Sequence, residues 1–175
     1  MDNIQEQIDY VDNLPQKIKN SLNWYTKSNH LDFNKKIREK LSLSPQEQEH
    51  FRNITTAFKN VPILKKPLVV YRGLKHFYKN HTTFISTSLD PEEALTFAGS
   101  DCCLMKFNIF PGSKILPIYK CSATECELEI LLDYNVNITL YDKKKYKDVE
   151  VYFLDYYNDS YLEYISIFDI NKNVY

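Results

Sequence analysis

The 175-residue chain is 43% apolar and 26% charged, enough for one packed domain with its own core. A formal net charge of -1 gives no basic field of the kind that draws nucleic acid. No apolar run nears the ~20 residues of a membrane span, and the opening Met1-Asp2-Asn3-Ile4-Gln5-Glu6 has no secretory-signal pattern.

The first third reads helical. Pro15 opens a helix through Ser21, Leu22, Trp24 and Tyr25, and Phe33, Ile37 and Leu41 fall at four-residue spacing in a second, from about Asp32 to Leu41. Ser44-Pro45-Gln46-Glu47 supplies an N-cap, a proline at the first helical position and a capping-box glutamate for a third helix, reaching about Lys59.

After Pro62 the texture changes. Pro67–Tyr71 and Thr83–Thr87 read as strands, and Asp90-Pro91-Glu92-Glu93 with Gly99 brackets a short helix over Asp90 to Ala98. Further strands are expected at about Cys103–Ile109, Lys114–Ile118, Glu127–Leu132, Asn137–Tyr141, Lys147–Leu154 and Tyr161–Phe168, with turns at Pro111-Gly112 and Asn158-Asp159-Ser160. Helices first and strands afterwards, without βαβ alternation, predict an α+β fold with mainly antiparallel sheet. One domain over 1–175 is expected, helical over 1–62 and β-rich over 63–175.

Scarce residues narrow the chemistry. Three glycines (Gly73, Gly99, Gly112) leave no P-loop and no G-x-G-x-x-G turn. Cys102, Cys103, Cys121 and Cys126 form no C-x-x-C pair and have no histidine at ligand spacing, so reduced thiols and no metal are expected. Three arginines (Arg38, Arg52, Arg72) stand against nineteen lysines, which marks them as places where a planar fork could matter.

Three segments could carry chemistry. In Glu127-Leu128-Glu129-Ile130-Leu131-Leu132, strand alternation puts both glutamates on one face. Such a pair suits a solvated edge, or a cleft where two carboxylates divide the work of cleaving a glycosidic bond. In Tyr71-Arg72-Gly73, an arginine at a strand end could clamp an anion, and the glycine could let a ligand approach the backbone, although a surface arginine before a turn reads the same way. In Phe84-Ile85-Ser86-Thr87-Ser88, the hydroxyls could bond a ligand or simply end a strand.

Taken in order, an aromatic-Arg strand, an S-T-S strand and an E-x-E ahead of I-L-L resemble the mono-ADP-ribosyltransferases of the R-S-E class. The bacterial exoenzyme branch, with its actin-modifying binary toxins and Rho-modifying exoenzymes, is the nearest pattern. The resemblance runs from about Asn23 to Leu140. It takes in Tyr25-Thr26-Lys27-Ser28, Phe33-Asn34, Ile37-Arg38, Phe97-Ala98-Gly99 and the Pro111-Gly112-Ser113 turn. It implies an NAD cleft between two small sheets, with N-terminal helices packed on them. It also implies roles: Glu129 as the catalytic glutamate, Ser86 holding it, and Glu127 orienting an incoming arginine. Arg72, Gly73, Arg38, Asn34, Thr26, Ser86 and Phe97 are implied as the NAD-binding set. Arg52 matches no role.

The chain departs from the pattern at Gly99-Ser100-Asp101, where an arginine is usual, and at Thr124, where an aromatic is usual. Since that second position touches the target, neither actin nor Rho is carried over. The expected activity is transfer of ADP-ribose from NAD to a protein arginine. The alternatives are an NAD glycohydrolase and an inactive binding module of the same fold. Expected partners are NAD and a target protein, with no nucleic acid and no membrane, for a monomer acting in the cytoplasm or delivered into a host cell by other machinery.

Overall fold

The computed structural model describes residues 2–77, 83–99, 102–121, 128–134, 136–146 and 148–157. Helices come first: α1 Gln5–Asp12, α2 Gln16–Trp24, α3 His30–Glu39 and α4 Pro45–Asn60, with α5 Pro91–Ala98 later among the strands. The strands are β1 Leu68–Leu74, β2 Ile85–Ser88, β3 Cys103–Ile109, β4 Ile115–Pro117, β5 Glu129–Leu132, β6 Asn137–Tyr146 and β7 Val149–Tyr157. The α+β class expected from the chain order is the one observed. The strand expected at Tyr161–Phe168 lies outside the described residues.

α4 starts where the capping box put it, since Ser44 accepts from the Glu47 amide and Glu47 accepts from the Ser44 amide. α1 has no side-chain cap, and nothing in the sequence reading marked it. Its signal is periodicity alone: Ile4, Ile8 and Val11 recur at helical spacing and are all buried. β6 runs five residues past its expected end at Tyr141, because Lys143–Tyr146 continue the ladder against Val149–Tyr152.

The strands form one hydrogen-bonded sheet in the order β4-β5-β2-β1-β3-β7-β6. Pairings are antiparallel except β3 with β7, which run parallel. The two separate sheets expected are thus two halves of one, β4-β5-β2 and β1-β3-β7-β6. Their junction is narrow, a single register pair of Tyr71 with Ser88. Two main hydrophobic cores accompany the sheet, the first reaching both halves through Ile85, Ile115 and Ile130, and a small third cluster joins Ala94 of α5 with Leu104 and Val151. The first also holds Val70, Met105, Phe107, Leu154 and Tyr156 with Ile4, Ile8 and Leu64. The second packs Leu22, Tyr25, Phe33, Ile54 and Phe58 of the helices on Phe84, Leu116 and Leu131.

Phe84 is the hub of the helical core, with its ring near those of Tyr25, Phe33, Phe51, Phe58 and Tyr134. Aromatic packing of this kind adds roughly 0.5–1.5 kcal/mol per pair beyond area burial. It fixes the start of β2, and therefore the serines that follow.

Candidate active site

A cavity of about 380 Å³ opens at the junction of the half-sheets. Its lining includes Thr26 and His30 from the helices, Arg72 and Gly73 from β1, Ser86 and Ser88 from β2, Glu93 and Phe97 from α5, and Glu129 from β5. Three strands converge there because β2 is the shared neighbour of β1 and β5.

The register places the polar groups. Ser88 pairs with Glu129 and Ser86 with Leu131, so Ser86, Ser88 and Glu129 share one face of the sheet. Glu129 opens β5 and is buried, 8% exposed, with its carbonyl accepting from the Ile118 amide at 2.9 Å. Its direct cross-strand partner is Ser88, while Ser86 stands on the diagonal. The Ser88 hydroxyl donates to Glu93 and accepts from the Asp90 amide at 3.0 Å. That tie joins the end of β2 to the first turn of α5 and makes Glu93 a second carboxylate in the cavity wall.

Arg72 crosses the junction. Its Nη1 donates to the Ser86 carbonyl at 2.8 Å, whereas its buried Nε has no partner among the described residues. A buried donor without an acceptor costs on the order of 1–3 kcal/mol, so this guanidinium suits an anionic acceptor arriving in the cavity.

Gly73 is glycine for a reason the sequence reading did not anticipate. A Cβ there would stand 2.0 Å from the Ala94 carbonyl oxygen and 2.9 Å from the Ala98 Cβ. The close neighbour is helix α5, which Gly73 lets lie directly on β1.

Tyr25 lies under the site. It is fully buried, donates to the Phe84 carbonyl at 3.2 Å and accepts from Asn34 Nδ2 at 2.9 Å. Burial pushes its phenol up to about 12, partly offset by the Asn34 hydrogen bond and by the charge of Arg72. The phenol therefore stays neutral, as a fixed hydrogen-bonding post.

The residues named from sequence are distributed unevenly. Thr26, Arg72, Gly73, Ser86, Phe97 and Glu129 line the cavity together. Asn34 does not: it is a buried core residue whose amide also reaches the Phe84 carbonyl at 3.3 Å. Nor does Arg38, exposed in the last turn of α3. Arg52 is exposed on α4, as expected for a residue without a role. Glu127 and Thr124 lie outside the described residues. His30, Lys75 and Glu93 line the cavity and were not singled out, while Tyr71 and Ser88 line it and were named only as parts of the Tyr-Arg-Gly and Ser-Thr-Ser segments. For Ser88 and Glu93 the signal was available, in a cap-forming Ser-Leu-Asp-Pro-Glu-Glu run that ties strand to helix. For His30 there was none, since a lone histidine at a helix start carries no pattern.

Comparison with known proteins agrees with this picture. A family model for the ADP-ribosyltransferase exoenzymes matches residues 75–160, just under half of the chain. The fold is similar to that of the Clostridium limosum C3 exoenzyme at 19% identity and TM-score 0.72, covering 88% of this chain and 90% of that one. It is similar to S. aureus C3stau2, solved with NAD, at 15% identity and TM-score 0.74, covering 90% and 94%. It is also similar to the Vis ADP-ribosyltransferase of Vibrio splendidus, solved with agmatine, at 16% identity and TM-score 0.62, covering 91% and 86%. No curated protein matches the chain by sequence. Among the described residues, no helix is long and apolar enough to cross a membrane.

Proposed function

We propose that this chain, which has the fold of the bacterial ADP-ribosyltransferase toxins and carries the exoenzyme family's pattern over residues 75–160, is a mono-ADP-ribosyltransferase. It cleaves the bond between nicotinamide and ribose in NAD and passes ADP-ribose to a protein side chain, an arginine. The observation that carries this reading is the convergence of Arg72, Ser86 and Glu129 in one cavity at the junction of the half-sheets.

NAD supplies a leaving group that already bears positive charge, so nicotinamide departs without a general acid. What the protein must provide is stabilisation of the positive charge that develops on the sugar, and Glu129 is the buried carboxylate placed to do so. Its burial matters, because a charge acts more strongly in a site from which water is excluded. Ser86 and Ser88, on the same face, keep the surroundings polar. Arg72 holds the pyrophosphate, and its Nε, without a partner among the described residues, is the group that fits an anionic oxygen. Phe97, exposed although it lines the cavity, offers a ring to a flat aromatic group. Asn34 acts indirectly, holding the Tyr25 hydroxyl under the site, and Thr26 contributes from the wall. Glu127 pairs with the incoming guanidinium, which a carboxylate binds in a bidentate way.

The deciding experiment is incubation of the protein with labelled NAD and cell lysate, followed by mass spectrometry of labelled peptides. ADP-ribosylated arginines are the expected product. Nicotinamide release without any labelled protein would make the chain a glycohydrolase, and no release at all would make it a binding module.

A further inference from the structure

Strand β2 is left open along one edge, and side chains close it. Toward β5 it is paired from Ile85 to Ser88, but toward β1 its register holds the single pair of Ser88 with Tyr71. Ser86, and Phe84 just ahead of the strand, have no paired residue on β1, and both of their carbonyls are met by side chains. The Ser86 carbonyl accepts from Arg72 Nη1 at 2.8 Å. The Phe84 carbonyl accepts from the Tyr25 hydroxyl at 3.2 Å and from Asn34 Nδ2 at 3.3 Å.

Tyr25 makes the most of these links. A phenol has one proton and two acceptor sites. The proton goes to the Phe84 carbonyl, and one acceptor site takes Asn34 Nδ2 at 2.9 Å. Burial raises the phenol's pKa, the Asn34 bond and the charge of Arg72 lower it, the charge of Glu129 raises it, and a hydrogen bond with Ser86 lowers it. Since the phenol's own proton is engaged, the Ser86 hydroxyl is the donor to the remaining site. Tyr25 thus grips the chain at Phe84 and again at Ser86, the residue whose carbonyl receives Arg72. Its ring is fully buried, edge-on to Phe33 and Phe84. It does not itself line the cavity, so whatever it does there passes through Ser86.

We propose that Tyr25 is a positioning residue of this site: its hydroxyl fixes the open edge of β2 and thereby sets Ser86 and Arg72 against Glu129. The inference rests on reading the cavity as a site of NAD cleavage. A reacting geometry tolerates little displacement, so loosening β2 slows the chemistry before it weakens the hold on NAD.

The test compares Tyr25→Phe with Tyr10→Phe and wild type on the full chain. Each substitution keeps a ring and removes one hydroxyl from the helical layer. Tyr10 donates to the Ala57 carbonyl at 3.0 Å, away from the cavity. Nicotinamide release by Tyr25→Phe should fall about tenfold, the rate equivalent of one hydrogen bond, with NAD affinity by calorimetry unchanged. Tyr10→Phe should turn over like wild type below its melting transition. Hydrogen exchange, which needs no NAD, should be faster at the amides of Ile85–Ser88 in Tyr25→Phe than in Tyr10→Phe. If Tyr25→Phe does not fold, Asn34→Ala withdraws the amide from the same phenol and carbonyl, and it should slow release in the same sense. Release at the rate of Tyr10→Phe, a parallel loss of affinity and release, or unchanged exchange at β2 would each overturn the proposal. If wild type neither binds nor cleaves NAD, the functional reading fails, and exchange alone shows whether Tyr25 holds β2.

Discussion

At the scale of the residue, the two glutamates of the E-x-E segment should separate by experiment. Glu129 is buried in the cavity wall, so under the proposed function Glu129→Gln removes the charge that would face the reacting sugar while keeping its shape. Transfer and NAD hydrolysis should fall together by on the order of 10³-fold, about 4 kcal/mol of transition-state stabilisation, with NAD affinity little changed. Near-normal turnover would remove Glu129 from the chemistry. Glu127→Gln should instead suppress transfer to agmatine and leave slow nicotinamide release intact, because water needs no carboxylate to orient a cation. A parallel loss of both activities would assign Glu127 to the NAD site. Much of this was legible in the sequence because strand parity and a short motif are local. What stayed hidden was non-local: Ser88 rather than Ser86 stands opposite Glu129, since only the β2–β5 register decides that. Likewise the motif implies Asn34 as a ligand-binding residue but does not show that its amide nitrogen bonds the Tyr25 hydroxyl and the Phe84 carbonyl across the core.

At the scale of the element, helix α5 and strand β1 form one unit, and Gly73 is the condition for it. Gly73→Ala would put a methyl group 2.0 Å from the Ala94 carbonyl, a backbone atom that cannot rotate away. The helix must lift, which overpacking of this kind makes unfavourable by roughly 1–3 kcal/mol. Because Glu93 and Phe97 ride on α5, the cavity should widen and NAD affinity should fall together with melting temperature. An alanine variant that melts and binds like wild type would show that the helix is free to shift at no cost. Helix boundaries were readable where side chains cap them, as at Ser44 and at Asp90, whose side chain accepts from the Glu92 amide at 2.8 Å. They were unreadable at α1, which has no cap, and at the turn from α2 to α3, where Lys27 leaves helical geometry and kinks the chain.

At the scale of the whole molecule, the cavity sits where the sheet is weakest. Its halves share a hydrophobic core but are joined in register by Tyr71 and Ser88 alone. The sequence announced strands on both sides but not this junction, because which strands pair, and in what register, is a non-local outcome of the fold. Arg72 supports the junction directly, since its Nη1 reaches the Ser86 carbonyl from β1 to β2 at 2.8 Å. The Nε of the same guanidinium has no partner among the described residues, and under the proposed function it meets an anion, so one side chain would couple the closure of the sheet to ligand binding. Lysine retains the charge but has a single nitrogen on a flexible stem and cannot serve both partners in fixed geometry. Arg72→Lys should therefore weaken NAD binding by about 1–3 kcal/mol. It should also speed hydrogen exchange at the amides of β1 and β2, while the β3–β7 ladder keeps its protection. Arg52→Lys, on the exposed face of α4, should do neither. Calorimetry and exchange on the same samples decide the matter: a loss of affinity with unchanged exchange at β1 and β2 would make Arg72 a ligand contact only. Faster exchange with unchanged affinity would make it a structural strut, and the anion would have to be held elsewhere.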